Sequence, residues 1–129
     1  MEIYKENILN HYRKPHNYGS AAKPDFKLRE ENTFCGDWIE VSGTVHQVSG
    51  KKVLKELKFK GKGCVISQAA SSMLTDYSRN KSIAVIKNLK TKDISRFLKI
   101  NLPPTRQQCA ELSLSALKKG LNNLNIKTK

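Results

Sequence analysis

Apolar and polar side chains alternate along the middle of this chain with the period of two that is typical of strands. Residues 38–48 form one such run and residues 53–59 form a second, and the segment at residues 49–52 between them predicts a hairpin turn. Residues 24–34 are also expected to be extended and to pair with the hairpin. The second run is predicted to bury one face, made of Val53, Leu57 and Phe59. The pattern therefore predicts a three-stranded antiparallel sheet.

Apolar residues recur at helical spacing on both sides of the predicted strands. Apolar residues recur every three to four positions in residues 3–14, where Pro15 ends a short helix, and again in a helix that ends near Arg79. Ser82 and Thr91 are expected to cap two short helices, and paired prolines are expected to begin a last one. Its buried side is predicted to carry Cys109, Leu112, Ala116, Leu117, Leu121 and Leu124. The predicted fold class is α+β, with the three-stranded antiparallel sheet packed against an N-terminal helix and a C-terminal helical set.

Length and composition bound the class of protein. At 129 residues the chain is expected to form one domain, residues 1–129, and its 38% hydrophobic and 27% charged content is typical of a globular protein. No apolar run approaches the roughly 18 residues of a membrane span, and the first residues lack signal-peptide character. Three cysteines are an odd number, which favours metal or thiol chemistry over a disulfide framework. We therefore predict a cytoplasmic protein that has no membrane partner.

Basic residues outnumber acidic ones by 24 to 11, which gives a formal net charge of +13. The lysines are spread over the hairpin and the last helix rather than gathered into one stripe, and aromatic residues are not interleaved with them. This distribution indicates a solvated basic surface, with an acidic protein partner as one alternative. Nucleic acid is a disfavoured partner. The histidines at the end of the first helix, His11 and His16, could be metal ligands, but we interpret them as structural.

Cys64 lies where the strand period changes to the helical period. Two glycines, Gly61 and Gly63, precede it, and apolar residues at helical spacing follow it. A cysteine in the first turn of a helix faces unpaired backbone N–H groups and the positive end of the helix dipole, which favour the thiolate over the thiol. Cys64 is therefore a candidate nucleophile or metal ligand, and the alternative is a small buried hydrophobic residue.

Two further cysteines and an aspartate are the other candidate donors. In Cys35-Gly36-Asp37, an extended backbone would turn the thiol and the carboxylate to the same side, and an ordinary glycine turn is the alternative. Cys109 is predicted near the start of the last helix, on the same side as Arg106. No C-x-x-C pair occurs, which excludes a zinc ribbon or finger. Three cysteines and one aspartate could instead hold Zn²⁺ tetrahedrally or ligate a [2Fe–2S] core.

Three motifs occur together in this chain: Cys35-Gly36-Asp37, the segment at residues 61–72 around Cys64, and Leu102-Pro103-Pro104-Thr105-Arg106 leading to Cys109. Their combination resembles the iron–sulfur cluster assembly scaffolds of the IscU and NifU N-terminal type, to which SufU proteins are related. We call residues 102–106 of the last motif the LPPTR segment. Residues 10–19 are also similar to the opening of that family. The resemblance covers nearly the whole chain and implies the α+β fold predicted above.

The resemblance also implies a role for each candidate residue. Cys35, Asp37, Cys64 and Cys109 would ligate a transient [2Fe–2S] cluster, or Zn²⁺ in the purified protein. Sulfur would arrive as persulfide from a cysteine desulfurase, with Cys109 or Cys35 as the acceptor, and the cluster would pass to apo iron–sulfur proteins. The LPPTR segment, held extended by its prolines, would bind an Hsp70-type chaperone. The protein would then be a scaffold and carrier rather than an enzyme.

The chain departs from the family pattern near its last cysteine. Gln108 stands where chaperone-linked members have histidine, and Thr105 and Arg106 alter the end of the chaperone-binding segment. A related branch of zinc-dependent sulfurtransferases also lacks the histidine but carries an insertion, for which the stretch from Cys64 to Cys109 is too short. A cluster scaffold is the leading hypothesis, and a zinc-dependent sulfurtransferase is the alternative. A basic zinc-stabilised nucleic-acid-binding module is the weakest of the three.

Overall fold

The computed structural model describes residues 5–32 and 36–127, and the helices and strands in them follow the predicted order. Their bounds are α1 (Glu6–Arg13), β1 (Phe26–Asn32), β2 (Asp37–Val48), β3 (Lys51–Lys62), α2 (Val65–Ser78), α3 (Ile83–Lys87), α4 (Thr91–Leu98) and α5 (Pro104–Lys127). The strands form one antiparallel sheet in the order β1-β2-β3, so the α+β prediction is confirmed. Ile3 and Tyr4, which were predicted to belong to the first helix, lie outside the described residues.

The hairpin between β2 and β3 turns through two residues. Ser49 and Gly50 both have positive φ, 52° and 79°, which matches the right-handed twist of paired strands. The strand pairing shifts between Thr44 and Val45, where Lys55 is an extra residue on β3. Such a bulge reverses the alternation of side chains between the two faces of the sheet.

This bulge decides which side chains of β3 are buried. Leu54, Leu57 and Phe59 are each at most 1% exposed. Val53 is only partly buried. The prediction that Val53 shares the buried face is wrong, because the extra residue at Lys55 brings Leu54 to that face instead.

Helix α2 is buried on nearly every side, although it is rich in serine and alanine. It packs against α1, α4, α5 and β3. Buried hydroxyls donate to carbonyls within the same helix, from Ser71 Oγ to Ser67 O and from Thr75 Oγ1 to Ser72 O, both at 2.7 Å. Because these bonds satisfy the hydroxyls of Ser71 and Thr75 within the helix, such polar side chains can be core residues, which the apolar pattern did not reveal.

Helix α1 and the loop after it close over α2. Ile8 is fully buried, and His11 Nδ1 lies 2.7 Å from Ser72 Oγ. Burial lowers the pKa of His11, and the neighbouring His16 acts in the same direction, whereas Asp76 raises it. The pKa of His11 therefore lies below its usual value, which favours the neutral imidazole.

Helix α5 packs against β1, β2 and α2, and all six residues predicted for its buried side are buried. Glu30 of β1 is held by two α5 side chains, with Ser115 Oγ and Lys119 Nζ each 2.7 Å from Glu30 Oε2. Burial alone would raise the pKa of Glu30, but these two partners lower it, so the carboxylate stays ionised and ties the edge strand to α5. Within residues 5–32 and 36–127, no helix is both long enough and apolar enough to cross a membrane.

The two capping predictions have different outcomes. Ser82 caps α3 as predicted, because its Oγ accepts a hydrogen bond from the Val85 N–H at 3.3 Å. Thr91 is instead the first residue of α4, and the Asp93 carboxylate caps that helix by accepting from the Lys90 N–H at 2.8 Å. The prediction for Thr91 is wrong because an acidic residue in the first turn can reach back to the donor at the helix start.

The LPPTR segment is not extended along its whole length. Helix α5 begins at Pro104, the Arg106 N–H donates to Pro103 O at 2.8 Å, and Leu102 is buried. The prediction of an extended segment is wrong from Pro104 onward, because proline is compatible with the first turn of a helix. An extended conformation would require this turn to unwind.

Candidate metal centre

Cys64 lies at the junction of β3 and α2, as predicted. Strand β3 ends at Lys62, and Cys64 is the N-cap residue of α2, with extended backbone angles (φ −74°, ψ 174°). Its carbonyl accepts hydrogen bonds from Ser67 Oγ and from the Gln68 N–H, both at 3.1 Å, which begins the helix. The half-buried thiol is thus fixed at the positive end of the α2 dipole and is still reachable from solvent.

Asp37 begins β2 directly after a turn. Gly36 has a φ of +74°, which glycine adopts without strain, so the extended backbone predicted for this motif is interrupted at Gly36 and begins only at Asp37. The Asp37 side chain is buried, and its Oδ2 has no hydrogen-bond partner among the described residues. A buried carboxylate oxygen without a partner is costly, and a bound cation would compensate for that cost.

Gly63 lies between these two donors. A Cβ at this position would lie 2.1 Å from Ser67 Oγ and 3.0 Å from Asp37 Oδ2. These distances leave no room for a side chain, so glycine is what allows the end of β3 to approach the carboxylate. The sequence pattern did not predict this contact. The feature of the sequence that could have indicated it is the glycine directly before Cys64.

Cys109 comes from α5 and joins the other donors. Its side chain is 5% exposed and faces inward, as its helical spacing predicted. Asp37, Cys64 and Cys109 each offer one donor atom, and these atoms all lie within 4.8 Å of one another. Donors on a tetrahedral zinc ion lie about 3.5 Å apart, so a small closing movement would bring the three into coordination. Cys35, the fourth predicted donor, lies outside the described residues.

Cys109 lies near the start of α5, as predicted, but not in its first turn. Helix α5 begins at Pro104, so Cys109 is in its second turn, where the effect of the helix dipole has already weakened. Arg106 and Gln108 are exposed. The dipole at the start of α5 therefore acts on Cys109 more weakly than on a residue of the first turn.

The chemistry of the donors fits a metal that prefers sulfur. Thiolates select zinc, copper(I) or iron–sulfur clusters, and a carboxylate is a harder donor. Two cysteine sulfurs and an unpartnered buried carboxylate oxygen suit either Zn²⁺ or the iron of a cluster. The arrangement can therefore hold a metal ion or a cluster between β2, α2 and α5.

Gly63→Ala is expected to disturb the position of Asp37. The added methyl group must displace Ser67 Oγ and press on the Asp37 carboxylate, because both lie closer than van der Waals contact allows. We expect the free energy of unfolding to fall by about 1–3 kcal/mol, as for other overpacked sites. Urea denaturation of metal-free protein measures this change, and competition with a chromophoric chelator measures the accompanying loss of zinc affinity.

A matched control for this variant removes the atom closest to the new methyl group. Ser67→Ala in the Gly63→Ala background should recover part of the lost stability, because it deletes the hydroxyl at 2.1 Å and leaves only the longer contact with Asp37 Oδ2 at 3.0 Å. Unchanged stability and unchanged zinc affinity in Gly63→Ala would mean that Gly63 does not lie against the carboxylate.

Comparison with known proteins finds one family and several close relatives. The model of the NifU-like N-terminal domain matches residues 3–129. A Drosophila melanogaster protein named iron–sulfur cluster assembly enzyme IscU is 34% identical to this chain, and the match covers 98% of the chain and 81% of that protein.

Solved structures support the fold. The N-terminal part of a NifU-like protein from Brucella abortus has a TM-score of 0.76 at 19% identity, over 98% of this chain and 96% of its own. The FiSufU protein of Fervidobacterium islandicum has a TM-score of 0.73 at 22% identity, over 92% of this chain and 96% of its own. At these identities the structural likeness concerns the fold alone.

Proposed function

The chain belongs to the NifU-like N-terminal domain family, and on this premise we propose that it is a scaffold on which [2Fe–2S] clusters are assembled and from which they pass to apo-proteins. The observation that carries this proposal is the meeting of Asp37, Cys64 and Cys109 within 4.8 Å, with Asp37 Oδ2 left without a partner. The Drosophila relative that is 34% identical is named for cluster assembly. The cluster is cargo, so the protein is proposed to be a carrier rather than an enzyme.

The proposed ligands are Cys64, Cys109 and Asp37, with Cys35 as the fourth. Thiolates are the usual ligands of [2Fe–2S] cores, and a carboxylate oxygen binds iron less firmly than sulfur does. The Asp37 carboxylate is therefore the ligand that the thiolate of an acceptor protein can displace most easily from the cluster iron. A site with one weak ligand suits a protein that must release what it builds.

Sulfur is proposed to arrive as a persulfide on a cysteine desulfurase. The thiolate of Cys109 attacks the outer sulfur of that persulfide, the sulfur–sulfur bond of the donor breaks, and the desulfurase leaves as its thiolate. A new sulfur–sulfur bond then joins the transferred atom to Cys109. Because Cys109 is only 5% exposed, docking of the desulfurase must uncover its sulfur. Cys35 is the alternative acceptor.

The conversion of persulfide sulfur to sulfide requires electrons. Each transferred sulfur takes up two electrons, so a [2Fe–2S] core requires four. Two iron(II) ions supply two of these as both become iron(III), and an external thiol or ferredoxin-type reductant must supply the others. The assembly reaction therefore has three inputs besides the scaffold, which are iron(II), persulfide and a reductant.

Three further proposals concern the proteins that receive the cluster, the chaperone that binds the scaffold and the cellular compartment. Apo iron–sulfur proteins are the proposed recipients of the cluster. An Hsp70-type chaperone is proposed to bind the LPPTR segment after the first turn of α5 unwinds, because Leu102 is buried and Pro104 is helical in the folded protein. The cytoplasm stays the proposed compartment, since thiolate ligands require reducing conditions.

Anaerobic reconstitution tests the proposed function. The protein is incubated with iron(II), cysteine, a thiol reductant and a cysteine desulfurase, and the product is followed by visible absorption and circular dichroism and by its iron and sulfide content. We expect equal amounts of iron and sulfide, and we expect the absorbance to move to an apo-ferredoxin when that protein is added. Cys64→Ser serves as the variant with a damaged site, because it replaces a half-buried ligand by a hydroxyl of similar size.

A zinc-dependent sulfurtransferase is the second candidate, and two observations favour it. The donor set suits tetrahedral Zn²⁺, and the residue before Cys109 is an exposed glutamine rather than a histidine. In that case the purified protein would carry Zn²⁺ and accept persulfide. It would pass sulfur to an acceptor but would form no cluster during reconstitution, which would contradict the scaffold proposal.

A further inference from the structure

A second group of metal-binding side chains lies around the C-terminal half of α2, away from the cysteines. His11 belongs to α1, His16 to the loop after α1, and Asp76 to the last turns of α2. Each offers one donor atom, and these atoms all lie within 4.8 Å of one another. The two imidazole rings are 4.4 Å apart between centroids, and His16 Nδ1 contacts Asp76 Oδ2.

Neighbouring polar groups hold these three side chains in place. Ser72 Oγ lies 2.7 Å from His11 Nδ1 and accepts a hydrogen bond from the His16 N–H at 2.8 Å. Asn17 Nδ2 donates to Asp76 Oδ1 at 3.0 Å, so the other carboxylate oxygen is the one that faces His16. The hydrogen bonds at His11 Nδ1 and at Asp76 Oδ1 are of the kind that is usual around protein metal sites, where outer partners fix the orientation of the ligands.

The site is open enough for an ion to enter. The side chains of His16 and Asp76 are 53% and 41% exposed, whereas His11 is partly buried. Three protein ligands with a solvent-facing side leave positions that water can fill, as in open zinc and iron(II) sites. Two imidazoles and one carboxylate are donors for borderline divalent ions rather than for Mg²⁺ or Ca²⁺.

We propose that His11, His16 and Asp76 form a second metal site, which takes a divalent first-row transition ion such as Zn²⁺ or iron(II). It cannot share an ion with the first site, because Asp76 follows Cys64 by twelve residues, or about 18 Å along the axis of α2. The proposal goes beyond the scaffold function and does not depend on it. Without a metal, His16 would still contact Asp76, and the hydrogen bonds with Ser72 and Asn17 would still hold the side chains in place.

Imidazole nitrogen NMR during a Zn²⁺ titration tests this site directly. The chain has three histidines, and the third, His46, lies exposed on β2, so it is an internal control. We expect the ring ¹⁵N signals of His11 and His16 to shift on zinc binding and those of His46 to stay in place. This readout does not involve the thiolates, so its failure would leave the proposed scaffold function untouched.

Asp76→Asn is the matched variant, since it keeps the shape of an exposed side chain and removes its charge. We expect it to weaken zinc binding at the histidines by about tenfold or more, whereas His46→Gln should leave that affinity unchanged. Any of three results would overturn the proposal. The signals of His11 and His16 could stay in place as zinc saturates the protein, all three histidines could shift alike, or Asp76→Asn could bind zinc as the wild type does.

Discussion

Cys109→Ser is expected to abolish productive sulfur transfer to the scaffold. A serine hydroxyl cannot form the sulfur–sulfur bond by which persulfide sulfur is passed on, and it is a poor ligand for cluster iron. We expect cluster formation with a desulfurase to fall below about a tenth of the wild-type yield, because both functions of one side chain are lost. Mass spectrometry after alkylation measures the persulfide on each cysteine, and visible absorption measures the cluster.

Cys64→Ser separates the two functions that Cys109→Ser removes together. This variant should still accept persulfide at Cys109, because the acceptor is unchanged, but it should hold a cluster poorly. Fold is checked in both variants by far-ultraviolet circular dichroism, which matters more for Cys109 because that side chain is buried. If Cys109→Ser takes up persulfide at the wild-type rate, the acceptor role passes to Cys35 or Cys64.

Asp37→Ala is expected to make the cluster harder to hand over. The carboxylate is the one proposed ligand that is not sulfur, so its loss removes the position that an incoming thiolate displaces most easily. We expect the cluster to form on the cysteines and to move to an apo-ferredoxin about three to ten times more slowly. The rate of transfer is compared with the rate of decay in buffer alone, so that a longer lifetime is distinguished from slower recognition.

The same variant has a second expected effect, which does not involve a cluster. Asp37 Oδ2 is buried without a partner among the described residues, so removing the carboxylate should stabilise the metal-free protein. The expected gain is about 1–3 kcal/mol in the free energy of unfolding.

Asp37→Cys should slow transfer of the cluster further than Asp37→Ala does, because it replaces the carboxylate oxygen by a fourth sulfur ligand. Wild-type transfer rates in both variants would mean that Asp37 is not a ligand of the working cluster.

The parts of the fold that the sequence predicted are those that follow from local periodicity. The strand period before Cys64 and the helical period after it located that residue at a strand-to-helix junction. The spacing of α5 placed Cys109 on its inward side, because one face of that helix is apolar and the rest is largely polar. Both predictions required only the geometry of a single helix or strand.

The features that the sequence did not predict depend on the chain's other elements. The extra residue at Lys55 exchanges Val53 for Leu54 on the buried face, and nothing in the alternation of β3 alone marks where a bulge will occur. The serines of α2 are buried because other elements surround that helix, although their hydroxyls read as polar in the sequence. The contact of Gly63 with Asp37 joins two strand ends that lie far apart along the chain.

The three donors of the first site come from the start of β2, the N-cap of α2 and the second turn of α5, so the site exists only while these elements are docked together. By thermodynamic linkage, an ion or cluster bound there must stabilise the docked state over any state in which α5 has come away. Amide hydrogen exchange in the first turns of α5 should therefore slow when the site is loaded. By the same linkage, a partner that captures the start of α5 in an unwound form would expel the cargo without touching any of its ligands.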